Sequence, residues 1–225
     1  MKIENNIIKY YLRNTYFING TAYAGKSTMC ALLAEKYGMI HCKENYHTKH
    51  LDAIATADEQ PSMYYLKTMN NWQEFVNRTP DEYEKWINQG TIDGIGFEIA
   101  ELISLSSIGQ RIIVDTNIPA NILHEISDYH HVAMMISPQS MSVEKFFDRH
   151  DEDKQFLLEQ INLSENPRAT LENFKACIAR INSQECYDAF ANSGFFTFVR
   201  AYDNSDTRLN TLAALATHFQ LDSIS

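Results

Sequence analysis

Short apolar runs alternate with longer stretches that repeat their apolar positions at helical spacing along most of this chain. The runs are rich in β-branched, aromatic and aliphatic residues, which is typical of strands, and they fall at residues 15–19, 39–42, 111–115, 131–136 and 195–199. Buried strands that alternate with helices form parallel sheets covered on both faces. The pattern therefore predicts a three-layer α/β fold, with a five-stranded, mainly parallel sheet between two layers of helices.

Local signals indicate where several of the predicted helices begin and end. Residues 26–37 are rich in Ala, Leu and Met, and they are followed by Gly38, a residue typical of helix C-termini. Thr79 and Glu82 have the spacing of a capping box, and Pro80 suits the first helical position. These signals predict one helix at residues 26–37 and another that begins at Pro80.

The longest interval between predicted strands covers residues 43–110 and looks mainly helical. A separate apolar helix is predicted at 97–105, and residues 140–193 are expected to be mostly helical with a break near 164–167. We therefore interpret residues 1–225 as a single domain that carries a helical insert after its second strand.

Composition and charge narrow the classes of function. A chain of 225 residues is long enough for one domain with a full core. The net charge of −10 argues against broad nucleic-acid binding, which needs basic surface. No apolar run is long enough for a membrane span, and residues 1–13 lack a signal-peptide core, so we expect a cytoplasmic protein without a membrane partner. The four cysteines form no C-x-x-C pair, and we expect reduced thiols.

One segment matches a motif whose physical role is understood. Residues 20–27 read Gly-Thr-Ala-Tyr-Ala-Gly-Lys-Ser, which fits G-x-x-x-x-G-K-[ST] at every fixed position. The two glycines permit backbone angles and close approaches that a Cβ would block. The N–H groups of the loop then form a nest for an anion, and the following helix adds its positive end. We therefore predict phosphate binding by Gly20, Ala22, Ala24, Gly25, Lys26, Ser27 and Thr28.

With this motif between a predicted strand and a predicted helix, residues 14–220 resemble the P-loop kinases of nucleoside monophosphates and of small molecules such as shikimate and gluconate. The resemblance implies a P-loop NTPase fold that binds ATP with Mg²⁺ and moves the γ-phosphoryl group to a small-molecule acceptor, at a hydroxyl or a phosphate. Lys26 would then reach the β- and γ-phosphates, and Ser27 would ligate Mg²⁺. The expected ligands are a nucleoside triphosphate and an unidentified acceptor. Whether the protein forms a homodimer is left open by the sequence.

The same resemblance assigns a second metal ligand. The apolar strand at 111–115 ends in Asp115 and is followed by Pro119, as in the strand-end Asp-x-x-x-Pro of these kinases. A carboxylate at this place holds Mg²⁺ directly or through water. The alternative is that Asp115 only ends the strand or caps the next helix. Ala120 stands where monophosphate kinases often carry an arginine, which disfavours a nucleoside monophosphate as acceptor.

Two further expectations rest on position in the resemblance. Residues from about 149 to 170 resemble the lid of these kinases, so Arg149, and secondarily Arg168, would place positive charge on the transferring phosphoryl group. The acidic residues around Arg149 equally suit a solvated surface. In the loop after the last strand, Asn204 would line the nucleotide base, or it would cap the last helix instead.

The resemblance to these kinases also implies that the acceptor binds in the segment after the second strand. Glu44 lies just past that strand and is the first candidate to orient and deprotonate an acceptor hydroxyl, with Asp52 the second. The three histidines of this tract do not have the spacing of a zinc site, and one tract offers too few ligands. The helices of residues 43–110 would cover the acceptor, with most of their aromatic side chains in the core.

Two other classes of function stay open from the residues. A nucleotide hydrolase or switch would need a group that activates water, and the chain lacks the N-K-x-D segment typical of guanine specificity. A nucleotide-binding protein without turnover would suit the missing arginine at position 120 and the acidic segment near Arg149. Release of ADP that depends on an acceptor separates a kinase from both.

Overall fold

The computed structural model describes residues 3–147, 152–201 and 206–223, with a five-stranded sheet at its centre. The strands are β1 (Thr15–Gly20), β2 (Ile40–Cys42), β3 (Ile112–Asp115), β4 (Val132–Ile136) and β5 (Phe196–Val199). They lie side by side in the order β2-β3-β1-β4-β5, and every neighbouring pair is parallel. The five predicted strands are therefore confirmed, each to within one residue at its ends.

Helices fill the connections between the strands, and the longest helical interval separates β2 from β3. Among the described residues the α-helices are α1 (Asn5–Tyr11), α2 (Lys26–Tyr37), α3 (Leu51–Ile54), α4 (Pro61–Thr68), α5 (Trp72–Val76), α6 (Pro80–Ser106), α7 (Ala120–Ile126), α8 (Gln139–Glu144), α9 (Glu152–Asn162), α10 (Pro167–Ile181), α11 (Gln184–Ala191) and α12 (Arg208–His218). A 3₁₀ turn at Tyr46–His50 follows β2. None of the described helices combines the length and apolarity needed to cross a lipid bilayer.

The predicted signals at the ends of α2 and α6 are confirmed. Gly38 ends α2 in the left-handed conformation, with φ of 61°. At the start of α6 the Thr79 side chain accepts a hydrogen bond from the Glu82 N–H, while the Glu82 side chain accepts one from the Thr79 N–H. Pro80 occupies the first helical position, where its missing N–H costs no hydrogen bond.

Helix α6 is one continuous helix of 27 residues, so the prediction of a separate helix at 97–105 is wrong. The glycines of α6 lower the helix propensity of its sequence, but close packing accounts for one of them, Gly94. A Cβ at Gly94 would lie 2.9 Å from Met63 Cε and 3.3 Å from His47 Nε2. Glycine therefore lets α4 and the turn at 46–50 approach α6 closely, which offsets a helix-propensity cost of about 1 kcal/mol.

Side chains of the sheet alternate between two apolar cores. Tyr16 of β1 packs in a core with Leu33 of α2 and Leu215 of α12. The next residue, Phe17, packs in the opposite core with Leu102 of α6, and both of these side chains are fully buried. Helices therefore cover both faces of the sheet, and the architecture is compatible with the predicted three-layer α/β fold.

A third cluster of buried side chains contains no strand residue and joins α5, α6, α9 and α10. The Phe75 ring meets the Tyr83 ring edge to face at 5.8 Å, and Tyr83 meets Phe174 in the same way at 5.4 Å. Trp72 and Trp86 also pack against Phe75. The aromatic residues that the sequence places in the core of the insert are therefore used for packing helices together.

Candidate functional site

The motif segment connects β1 to α2, and we call residues 20–25 the glycine loop. Gly20 has φ of 134° and lies so close to β4 that a Cβ would be 1.8 Å from the Met135 carbonyl oxygen. Gly25 precedes α2 with φ of 93°. Both positions therefore require glycine, because their φ values lie where L side chains are strained and because Gly20 touches backbone.

Side chains from outside the glycine loop bind its carbonyl oxygens. The Ala22 carbonyl oxygen accepts hydrogen bonds from Ser137 Oγ at 2.7 Å and from Ser142 Oγ at 3.0 Å. Arg200 Nη1 donates to the Tyr23 carbonyl oxygen at 2.7 Å. Because these oxygens are directed at protein donors, their negative partial charge is offset beside a loop that is expected to receive an anion.

The first turn of α2 offers backbone donors without a side-chain cap. Its N-cap residue is Gly25, which has no side chain to accept a hydrogen bond, and the first turn contains no acidic residue. The first four N–H groups of any α-helix lack intrahelical acceptors, and the helix dipole adds positive potential at the same end. This end of the 12-residue helix α2 is therefore suited to bind an anion such as phosphate.

Three polar side chains meet where β1 and β3 end. Ser27 Oγ donates to Asp115 Oδ2 at 2.6 Å, and Lys26 Nζ lies 3.9 Å from Asp115 Oδ1. Lys26 Nζ also donates to the Thr21 carbonyl oxygen at 3.3 Å. Asp115 is only 3% exposed and pairs in register with Ile18 of β1. Hydroxyl and carboxylate oxygens are the ligands that a hard cation prefers, so the chemistry of the Ser27–Asp115 pair fits Mg²⁺.

A cleft of about 370 Å³ opens beside the glycine loop, on the side of β5 and α12. Its lining combines loop residues, one aromatic ring and two arginines, among them Ala24, Gly25, Thr28, Phe198, Arg200 and Arg208. Arg208 is held by Asp206 through an ion pair of 2.6 Å. A cleft of this size, with an apolar face and a few polar groups, has the properties of a small-molecule site.

A buried carboxylate lies toward the β2 edge of the sheet, and it was not among the site residues predicted from the sequence. Glu98 of α6 is 4% exposed, and its side chain is hydrogen-bonded to Thr116, the residue after Asp115. Burial raises the pKa of Glu98 to about 7; the Thr116 hydrogen bond opposes this shift, and the charge of Asp115 adds to it. Glu98 Oε1 has no hydrogen-bond partner among the described residues.

Two histidines at the same edge each have a buried ring nitrogen. His41 Nε2 on β2 and His47 Nδ1 in the turn at 46–50 have no hydrogen-bond partner within the described part of the chain. Burial lowers the pKa of both rings, although Asp115 acts in the opposite direction on His41 and Glu101 does so on His47. Both rings are therefore mainly neutral at pH 7, when a ring nitrogen donates or accepts according to the tautomer.

Most of the residues predicted to bind phosphate and metal lie together around the glycine loop and the end of β3. They are Gly20, Ala22, Ala24, Gly25, Lys26, Ser27, Thr28 and Asp115. Glu44, the first candidate to orient the acceptor, is an exposed residue just after β2. Arg149 and Asn204 lie outside the described residues, as does the side chain of Asp52.

Arg168 lies far along its helix from the glycine loop. It is exposed on the first turn of α10, whereas the other end of α10 reaches the loop, where Asn182 Oδ1 accepts from the Ala22 N–H at 3.3 Å. At 1.5 Å per residue, Arg168 stands roughly 20 Å along the helix axis from that contact. The contact with the glycine loop is therefore made by Asn182, the C-cap residue of α10, which lies outside residues 149–170.

Several residues that shape this site were missed from the sequence. Ser137, Asn182 and Arg200 are ordinary polar residues, and only the fold brings them to the glycine loop. Glu98 did carry a signal, because it stands four residues from Gly94 and from Leu102 on one buried face of α6. A single acidic residue on such a face indicates a buried charge that needs a partner.

The described residues do not form a metal site of the kind that three or more His, Cys, Asp or Glu side chains build. No group of three His, Cys, Asp or Glu side chains in the described ranges is arranged to hold a metal ion, and all four cysteines are free thiols. Mg²⁺ needs fewer protein ligands, since it keeps several waters and takes others from phosphates.

Compared with known proteins, the chain matches no protein-family model and no curated protein.

Proposed function

We propose that this protein is a kinase that moves the γ-phosphoryl group of ATP, bound with Mg²⁺, to a small-molecule acceptor. The observation that carries the proposal is the contact of Ser27 Oγ with Asp115 Oδ2, 2.6 Å, beside Lys26 at the uncapped start of α2. An anion site and the oxygen ligands of a hard cation thus lie side by side. The phosphates of a magnesium-bound nucleotide need this combination.

In this proposal the chain acts on the phosphates by position and charge. The N–H groups at the start of α2 bind phosphate oxygens, and Lys26 exchanges its contacts with Thr21 and Asp115 for the β- and γ-phosphates. Ser27 and Asp115 would hold Mg²⁺, and the bound ion would supply positive charge against the charge of the transferring group. The loop is held in place by Ser137 and by other side chains before the nucleotide arrives, which lowers the cost of organising it.

The cleft beside the loop suits the rest of the nucleotide. Gly25 and Thr28 belong both to the proposed phosphate site and to the wall of this cleft, so one ligand would reach both. Phe198 offers a ring on which a nucleobase stacks. Arg200, which is already bound to the Tyr23 carbonyl oxygen, lies 3.9 Å from the position that a Cβ on Gly25 would take. It would therefore border the nucleotide closely.

The transfer itself exchanges one phosphorus–oxygen bond for another. An acceptor oxygen forms a bond to the γ-phosphorus as the bond from phosphorus to the bridging oxygen breaks. ADP leaves with the electron pair of the broken bond, and the acceptor hydroxyl releases its proton. Helix α6 and the turn at 46–50 border the end of β3, where the acceptor would lie. Their cover would exclude water, which competes as an acceptor.

Release of ADP from ATP and Mg²⁺ tests the proposal. The purified chain is assayed with nucleosides, nucleoside monophosphates, sugars and hydroxy acids, beside wells that contain water only. We expect one acceptor class to raise ADP release well above the water rate, and Lys26→Ala to abolish the increase. Lys36→Ala, in the last turn of the same helix, is the matched control. Equal ADP release in every well would instead indicate a hydrolase, and none in any well would contradict the proposed transfer.

A further inference from the structure

Helix α6 carries two buried acidic side chains that differ in their hydrogen bonds. Asp93, 6% exposed, has both oxygens engaged. Its Oδ2 accepts from the Ser62 N–H at 2.8 Å and from the Met63 N–H at 3.3 Å, and its Oδ1 accepts from Gln89 Nε2 at 2.7 Å. Asp93 therefore fixes the N-terminus of α4 to α6, and its burial is explained by the fold alone.

Glu98 is as deeply buried, but the fold accounts for only part of its hydrogen-bonding capacity. Its carboxyl group is bonded to Thr116, and Oε1 has no partner among the described residues. Burying an ionised carboxylate oxygen without a hydrogen-bond donor is energetically costly, so such atoms are rare in proteins unless a bound water or a ligand donates to them. The burial of Glu98 therefore indicates a function beyond packing.

The ring of His47 lies beside the face of α6 that carries Glu98. Gly94 lies one helical turn before Glu98 on the same face of α6, and a Cβ at Gly94 would be 3.3 Å from His47 Nε2. Tyr46, beside His47, donates its hydroxyl to the Glu98 carbonyl oxygen at 3.2 Å. His47 Nδ1 and Glu98 Oε1 are both buried polar atoms without a partner in the described ranges. Helix α6 and the turn at 46–50 thus bring two unpaired hydrogen-bonding atoms to the same face of the sheet.

The charges around these atoms are mainly negative. Asp115 and Glu98 interact electrostatically, and Glu101 acts on both Tyr46 and His47. Among the described side chains, Lys26 lies 3.9 Å from Asp115, and the exposed Lys43 acts on His41 of the neighbouring strand β2. A phosphate or carboxylate on the acceptor would meet at least two carboxylates at close range. A hydroxyl or ammonium group would instead donate to them.

We propose that Glu98 binds a hydroxyl group of the phosphoryl acceptor, together with His47, and that this acceptor carries no anionic group. This inference rests on the kinase function proposed above and names its substrate class: an uncharged or cationic polyhydroxy compound. The acceptor hydroxyl donates its hydrogen bond to Glu98 Oε1, and a neighbouring hydroxyl of the same molecule meets the neutral His47 ring.

The test uses pairs of acceptors that differ in one anionic group. Suitable pairs are adenosine and AMP, glycerol and glycerol 3-phosphate, glucose and gluconate, and glucosamine and glucosamine 6-phosphate. ADP release is measured for the wild type, Glu98→Gln and the matched control Asp93→Asn, each at a temperature where its melting curve shows a folded chain. We expect transfer to the member without the anion, and a loss of kcat/KM of about 10- to 100-fold in Glu98→Gln, the effect of one hydrogen bond to a charged group.

The control variant Asp93→Asn should lose stability but keep its activity. Asp93→Asn is expected to lower the melting temperature and to keep kcat/KM within about twofold of the wild type, because it removes packing and capping interactions only. Preference for the anionic member of the pairs, or full activity in Glu98→Gln, would overturn the inference and leave the kinase function standing. Absence of transfer to every compound would overturn the kinase function and this inference with it.

Discussion

The two sides of Asp115 differ in the kind of hydrogen-bonding group that the chain leaves available. The side proposed to bind the nucleotide comprises the glycine loop and the start of α2. There, protein donors already bind the Ala22 and Tyr23 carbonyl oxygens, and backbone N–H groups remain. The side proposed to bind the acceptor comprises Glu98 and His47, where a carboxylate oxygen and a ring nitrogen have no partner among the described residues.

This difference assigns opposite ligand chemistry to the two sides. Free donors and a lysine suit an anion, whereas a free carboxylate oxygen in acidic surroundings suits a donor such as a hydroxyl group. Asp115 lies between them: it contacts Ser27 and Lys26, and it acts electrostatically on Glu98. A phosphoryl group moving between two ligands would pass this residue.

The largest expected effect is on the nucleotide side. Lys26→Ala removes the ammonium group that donates to the Thr21 carbonyl oxygen. It thereby removes the positive charge that is expected to bind the β- and γ-phosphates. We expect acceptor-dependent ADP release to fall at least about 1,000-fold. The melting temperature should stay near that of the wild type. Unchanged activity in a folded Lys26→Ala chain would show that the glycine loop is not the site.

Asp115→Asn is expected to have the next largest effect. The substitution keeps the shape of the side chain but removes the charge that Ser27 and Lys26 contact. We expect kcat/KM to fall roughly 100-fold and the Mg²⁺ concentration for half-maximal rate to rise, because one anionic ligand is lost. Asp128→Asn, at an exposed surface carboxylate paired with Lys9, is the control. An unchanged Mg²⁺ requirement in Asp115→Asn would argue against a metal at this place.

Glu98→Gln is expected to stabilise the protein at high pH. Since burial raises the pKa of Glu98 from 4.5 to about 7, folding favours the protonated form, and stability falls as pH rises through this range. Above pH 7 the ionised group costs about 3 kcal/mol of unfolding free energy, which the neutral glutamine avoids. The melting temperature of Glu98→Gln should exceed that of the wild type at pH 8 and equal it near pH 4. Equal melting temperatures at pH 8 would contradict an uncompensated buried carboxylate.

Asp93→Asn should act in the opposite direction. Its two oxygens accept from Ser62, Met63 and Gln89, so the amide leaves at least one buried donor facing another donor. We expect the free energy of unfolding to fall by about 1–3 kcal/mol, as measured by urea denaturation. A neutral or stabilising effect would remove the distinction between Asp93 and Glu98 on which the acceptor assignment depends.

The smallest expected effect concerns the support of the glycine loop. Ser142→Ala removes one of two hydroxyl donors to the Ala22 carbonyl oxygen and leaves Ser137 in place. We expect a stability loss of at most about 1 kcal/mol and a few-fold weaker binding of nucleotide. A loss as large as that of Lys26→Ala would mean that Ser142 acts on the ligand directly.

Periodicity and local motifs were sufficient to predict the sheet and the two positions of the glycine loop that require glycine. Strands such as 111–115 are short, apolar and bounded, and the glycine motif depends on a few consecutive residues whose backbone requirements are local. The structure accordingly places Gly20 and Gly25 where a Cβ would clash or strain the backbone. At this loop, the backbone requirements of the motif therefore predict the conformation that the structure shows.

The surroundings of Glu98 could not be predicted in the same way, because they depend on contacts between distant segments. Glu44 was favoured by its position after β2, yet it is exposed, whereas Glu98 reaches the end of β3 from an unbroken α6. Helix α6 continues through Gly94 despite the low helix propensity of glycine, and the missing side chain lets Met63 and His47 pack against the helix. Tertiary packing decided both matters. The spacing of Glu98 from Gly94 and Leu102 indicates that its carboxyl group is buried, but it does not indicate what the group contacts.

The most direct test of the central claim is calorimetric titration of ATP with Mg²⁺ into the wild type and into Lys26→Ala, without any acceptor. The account predicts that the wild type binds one nucleotide per chain and that binding is lost or greatly weakened in Lys26→Ala, with Lys36→Ala unchanged. Absence of binding to the wild type, or equal affinity in the wild type and Lys26→Ala, would contradict the assignment of the glycine loop as the nucleotide site.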